Sequence, residues 1–131
     1  MENLSQNQYN YFFGGINTMH SPHKHTNRCF PFTVVVHVNE GQYLCYYKDK
    51  IIVANSGETL VVPEYVLHDI EMKEYGYLSW AHICAHINGN DILEGYDSPF
   101  IIGSAFSNYF KTFLNALNNT KIESLSLQAL K

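Results

Sequence analysis

The chain has 131 residues and a formal charge of −4, with 46% hydrophobic, 15% aromatic and 15% charged residues. That length supports one apolar core and hardly a second, and the acidic balance argues against a chain that grips nucleic acid through its own charge. No run is apolar for long enough to cross a bilayer, and the polar residues 1–10 lack the form of a secretory leader. The three cysteines, Cys29, Cys45 and Cys84, are widely spaced and form no CxxC. They read as reduced thiols, so the expected setting is cytoplasmic.

Residues 1–8 are polar and expected to be mobile. Residues 9–16 (YNYFFGGI) predict a first strand, with Gly14-Gly15 marking a bend or a close backbone approach. Residues 17–29 read as an irregular segment carrying His20, His23, His25 and Arg28. From Phe30 the pattern becomes strongly β. Strands are expected over 32–38, 42–47, 51–54 and 59–62, separated by turns at Asn39-Glu40-Gly41, Lys48-Asp49-Lys50 and Asn55-Ser56-Gly57. Short strands at even intervals, with turn chemistry between them, predict an antiparallel barrel or sandwich.

The stretch Gly57-Glu58-Thr59-Leu60-Val61-Val62-Pro63-Glu64-Tyr65-Val66-Leu67-His68 is the densest signal in the chain. It holds a turn glycine, a run of β-formers, a proline that stops the strand, a tight corner and a histidine opening the next strand, expected over 68–72. A longer strand is expected over 77–87, and period two divides it: Trp80, His82, Cys84 and His86 share one face, while Ala81, Ile83, Ala85 and Ile87 share the other. One tryptophan and two histidines on one face suit a polar lining better than a plain core.

After Ser104 the period changes. Phe106, Tyr109, Phe110, Phe113, Leu114 and Leu117 fall on one helical face, and Thr120-Lys121-Ile122-Glu123 has the form of a capping box that starts a second helix. Ile122, Leu125 and Ala129 continue a narrow apolar stripe, suited to a helix–helix seam between two copies of the chain. The pattern has not ended at Lys131, so the expectation is a piece of a longer protein.

The spacing of Gly57, Pro63 and His68 resembles the second signature of the cupin superfamily, with Tyr65 where the usual glycine stands. Arg28 ahead of the strand that runs to Asn39-Glu40-Gly41, the Gly57 to Pro63 step, and Trp80-Ala81-His82-Ile83 together resemble the N-terminal effector-binding domain of AraC-type transcription regulators, over roughly residues 10–131. The resemblance implies a mainly β fold, a cupin-like double-stranded β-barrel or jelly roll over residues 1–103, followed by two α-helices over 104–131 that serve dimerisation. It implies a small-molecule effector inside the barrel and a homodimer through Ile122, Leu125 and Ala129. It also implies DNA binding only through a helix-turn-helix region that lies beyond Lys131, with no membrane partner and no cofactor.

Carried over residue by residue, the resemblance makes Arg28 an effector-contacting residue, and makes His68, Ile70, Trp80, His82 and Cys84 lining residues. Read by itself, Arg28 is a solvated surface cation. Ile70 and Cys84 stand where sugar binders carry aromatics, which removes a stacking surface and favours another small polar metabolite. A rival reading is a metal-dependent cupin enzyme using His23, His25 and His68, since imidazoles suit first-row metals. The carboxylate such enzymes place just after the His-x-His is missing, because Thr26, Asn27, Arg28 and Cys29 stand there. The expectation is therefore a non-enzymatic sensor with no bound metal, and with His23 and His25 in a solvated loop.

Overall fold

The computed structural model describes residues 11–84, 86–87, 90–91 and 95–103, and β-strands make up the framework of that portion. A five-stranded sheet holds, in spatial order, β1 (Tyr11–His20), β8 (Gly76–Cys84), β3 (Thr33–Glu40), β6 (Thr59–Val62) and β11 (Phe100–Ile102). A four-stranded sheet holds β2 (His23–Arg28), β7 (His68–Met72), β4 (Gln42–Tyr47) and β5 (Lys50–Asn55). A small ribbon pairs β9 (His86–Ile87) with β10 (Asn90–Asp91). The pairings in both sheets are antiparallel.

The two sheets differ in hydrophobic pattern, and the reason is coverage. The four-stranded sheet alternates as a half-buried sheet should. In β7, His68, Ile70 and Met72 are buried, while Asp69 and Glu71 lie on the wetter face. The five-stranded sheet is buried on both faces, so β3 (TVVVHVNE) and β6 (TLVV) read as nearly continuous apolar runs. Val34, Val36, Val38, Leu60, Val62 and Leu78 meet Tyr43, Cys45, Ile70 and Met72 between the sheets. On the other face Val35, Val61 and Ala81 pack with Ile16, Ile83, Phe100 and Ile102. Leu60 and Ile70 are almost free of solvent contact, and truncating a core residue of this kind to alanine costs about 2–5 kcal/mol.

Two expected turns take their expected form. Gly57 has φ 90°, and its N–H donates to the Val38 carbonyl at 2.7 Å. Asn55 closes the same turn, its N–H reaching Glu58 Oε1 at 2.8 Å. Pro63 follows β6, which ends at Val62 as the sequence predicts. Gly14 proves to mark a close approach, for a Cβ there would sit 2.5 Å from the Trp80 carbonyl oxygen.

Three boundaries differ from the sequence expectation. β1 runs on to His20, and β2 occupies a stretch expected to be irregular. β2 lies at the sheet edge, so its outer residues, Lys24 and Thr26, are polar and the apolar alternation that signals a strand is missing. His23 and His25 therefore belong to a strand and not to a loop. The long strand expected from residue 77 starts at Gly76 and is described through Cys84. Leu78, Trp80 and His82 do share its inner face, and Ala81 and Ile83 its outer one. The side chain of His86 and the two helices expected after Ser104, with Ile122, Leu125 and Ala129, lie outside the described residues.

Tyr65 takes φ 61° at the corner after Pro63, donates its N–H to the Phe30 carbonyl at 2.7 Å, and is 68% exposed. A side chain in that left-handed backbone costs roughly 1–2 kcal/mol, and glycine returns part of it to the unfolded chain as entropy. Tyr65→Gly is expected to stabilise the fold by about 0.5–1 kcal/mol, read from the midpoint of urea denaturation.

Candidate ligand-binding site

A cavity of about 480 Å³ opens between the two sheets. One continuous stretch of chain supplies most of its polar wall: His20, Ser21, His23, His25 and Arg28. Val34, Val36, Tyr43, Ile70, Leu78 and Trp80 supply a mostly apolar wall, and His82 stands beside them.

Two inserted residues decide which side chains reach this space. On β2, His23 and His25 point the same way, and strict alternation would then bring Asn27 inward and send Arg28 out. Instead the register slips: His25 lies opposite Ile70 and Arg28 opposite His68, three steps on β2 against two on β7. The extra residue is absorbed at Asn27, whose φ is 56°, and asparagine is one of the few residues besides glycine that visit this conformation readily. The Asn27 N–H, freed from the ladder, donates to Asp69 Oδ1 at 2.8 Å. Arg28 is thereby turned into the cavity.

The same device recurs on β1. Gly15 lies opposite Trp80 and Thr18 opposite Leu78, with Asn17 at φ 50° between them. The Asn17 N–H reaches the Ser79 hydroxyl at 3.0 Å, and this buried hydroxyl also accepts from Asn39 Nδ2 at 2.7 Å. The slip restores the inward phase at Thr18 and so brings His20 to the cavity.

Arg28 lies with its Cζ 4.9 Å from the centre of the Phe30 ring. From there aromatic rings run in sequence: Phe30 stacks on Phe32 at 4.8 Å, Phe32 on His82 at 4.5 Å, and Trp80 tilts against His82 at 4.9 Å. The stack flanks His82, which is half-buried. Burial first, and then the Arg28 charge, lower the His82 pKa to about 4. Burial, followed by the neighbouring His23, also lowers that of His20. Burial raises the Tyr43 phenol to about 12, so it stays protonated. Three buried atoms in this region have no hydrogen-bond partner among the described residues: Arg28 Nε, His20 Nε2 and His68 Nε2.

Of the residues singled out from sequence, Arg28, Ile70, Trp80 and His82 line the cavity. His68 and Cys84 are buried but do not line it. His68 sits opposite Arg28, with Nδ1 2.9 Å from the Val66 carbonyl oxygen. That contact requires a proton on Nδ1 and leaves Nε2 as an acceptor in the neutral ring. Burial lowers its pKa, with the Val66 hydrogen bond acting the other way. Sequence reasoning missed His20, His23, His25, Tyr43, Val34 and Val36. The asparagines at 17 and 27 are the only trace of the slips that bring His20 and Arg28 in. The rival metal set fits poorly: among the described residues no three His, Cys, Asp or Glu side chains stand in ligating geometry.

The sequence profile of the AraC-like ligand binding domain family matches residues 13–129. The chain belongs to this family. No curated protein matches the chain. Among solved structures, it is similar to an apo ToxT variant from Vibrio cholerae, with TM-score 0.57, 9% identity, and coverage of 90% of this chain and 52% of ToxT. It is similar also to wild-type Vibrio cholerae ToxT with an unsaturated fatty acid bound, with TM-score 0.52, 8% identity, and coverage of 90% and 49%. A cupin superfamily protein from Desulfitobacterium hafniense overlaps with TM-score 0.46 and 11% identity, over 56% of this chain and 75% of that one. The chain thus spans about half the length of the ToxT structures. The fold is mainly β, as the resemblance implied, and the domain is an AraC-like ligand binding domain. Among the described residues no helix is long and apolar enough to cross a membrane.

Two outcomes follow from the site. Asp69→Ala removes the acceptor that holds the Asn27 slip, and is expected to destabilise the fold by about 1–2 kcal/mol. Asp69→Asn keeps an acceptor oxygen and is expected to retain most of that stability, both read by urea denaturation. The second outcome concerns pH. In the fold the His82 pKa is pushed down to about 4, while in the unfolded chain the ring takes a proton near the ordinary histidine value of 6.5. Its contribution is therefore complete above 6.5 and is lost as pH falls towards 4. Discounted for partial exposure, stability should fall by about 1–2 kcal/mol between pH 7.5 and 5, and His82→Gln should reduce that fall.

Proposed function

We propose that the chain is the effector-binding and dimerisation domain of an AraC-type transcription regulator, and that its effector is a small metabolite with a polar group, held in the cavity between the sheets. The observation that carries this reading is the cavity itself, with the partnerless Nε of Arg28 on its wall. A buried guanidinium with an unmatched donor is costly unless a ligand or solvent meets it. A volume of about 480 Å³ falls in the range of about 300–1,000 Å³ that encloses most of a small organic molecule. ToxT, which shares the fold at 8% identity, has been captured with an unsaturated fatty acid bound, and this supports small-molecule sensing by a chain that contains such a domain.

In this reading the domain performs no chemistry. It works in the cytoplasm and reaches DNA through a helix-turn-helix region elsewhere in the protein. Two copies pair through residues 120–131, with Ile122, Leu125 and Ala129 in the seam.

The effector reading is tested by thermal-shift screening with small polar metabolites, since a ligand bound only to the folded state raises the melting temperature by mass action. Hits are expected to be lost in Arg28→Ala and in Ile70→Trp, which fills the cavity. Hits indifferent to both changes would place the ligand elsewhere. The dimer is tested by sedimentation at several concentrations: Leu125→Glu should shift the chain to monomer, and an unchanged dimer would remove this seam.

A further inference from the structure

The cavity is polarised in a way that selects among ligands. Arg28 carries a charge that cannot be removed at any ordinary pH. Among the described residues its buried Nε has no partner, and none of those lining the cavity is a carboxylate. His20 Nε2, contributed by the neighbouring strand to the same wall, is likewise buried and unpartnered. The rest of the lining is Val34, Val36, Tyr43, Ile70, Leu78 and Trp80, with Met19, Ser21, His23, His25 and His82 beside them.

We propose that the molecule this cavity takes is a small monocarboxylate with a compact apolar body, its carboxylate held by Arg28 and its body lying against Trp80, Ile70 and Val36. The proposal rests on the reading of the cavity as the effector site and names the class of molecule that fills it.

Three features favour this class over others. A planar guanidinium meets a carboxylate through two parallel hydrogen bonds. One such group balances one negative charge. A phosphate monoester, nearly doubly charged, would leave one uncompensated. A sugar would turn part of its hydroxyls towards Val34, Val36, Ile70 and Leu78, which offer no side-chain hydrogen bonds, and each hydroxyl left unmatched there weakens binding.

Trp80 is the single tryptophan of the chain and lines the cavity, so its fluorescence reports binding directly. The experiment titrates the 131-residue chain at pH 7.5 with phenylacetate and octanoate. The comparison compounds are phenylacetamide and octanamide, which match them in shape without the charge, together with octyl phosphate and glucose. The acids are expected to bind at least tenfold more tightly than their amides. Arg28→Gln is expected to bring that ratio close to one. If Arg28→Gln does not fold, the wild-type comparison of acid with amide decides the matter. Amides that bind as well as acids, or octyl phosphate or glucose binding more tightly than either acid, would overturn the carboxylate class and leave the effector cavity standing. A panel in which nothing perturbs Trp80 would overturn both.

Discussion

The character of the cavity depends on the strict two-residue period of a β-strand and on the two places where it is broken. An uninterrupted β2 would put Arg28 on the outer face, and an uninterrupted β1 would turn His20 away. One extra residue in each strand reverses the phase. Asparagine holds the left-handed backbone at both positions, and in each case a side chain on the paired strand takes up the N–H that the ladder no longer uses: Asp69 on β7 for Asn27, and Ser79 on β8 for Asn17. The site is set by backbone phase before any side-chain chemistry enters.

Both slips occur on the edge strands of their sheets, β1 on one and β2 on the other. Edges tolerate them because only one neighbour has to adjust. Charge can be placed there as well, while the centre of each sheet cannot spare apolar area. The outcome is a cavity with a polar wall drawn from residues 20–28 and a mostly apolar wall drawn from β3, β4, β7 and β8. The aromatic run from Phe30 through Phe32 and His82 to Trp80 joins the two walls and keeps His82 neutral. His68, the defining residue of the corner motif, instead ties the corner together through the Val66 carbonyl, behind the cavity wall. A motif histidine and a ligand-facing histidine are different things in this fold.

The corner also separates family pattern from local energetics. Where the resembled signature carries glycine, Tyr65 accepts the same left-handed backbone, held by its hydrogen bond to Phe30. Shape persists there at some cost in stability. The same holds for the chain as a whole. It shares only 8–9% identity with ToxT structures over nine-tenths of its length, yet the sheets superpose. A fold of this kind is specified by alternation, turn residues and a few corners, which many sequences satisfy.

Taken alone, the sequence determined the parts that rest on local chemistry. β4, β6 and β7 were readable to within a residue, since β-formers bounded by Gly57, Pro63 and turn residues leave little choice. The inner face of β8 followed from period two, and with it Trp80 and His82. The family followed from the order and spacing of those pieces. Only the tertiary structure decided that residues 17–28 run as two edge strands, because an edge strand with one wet face carries no apolar alternation to read. It alone decided that Arg28 and His20 face inward, because a bulge is a relation between two strands and has no period of its own in either. It also moved Cys84 and His68 out of the lining and brought in His23, His25 and Tyr43, since which inward residues bound a cavity depends on how far apart the two sheets stand.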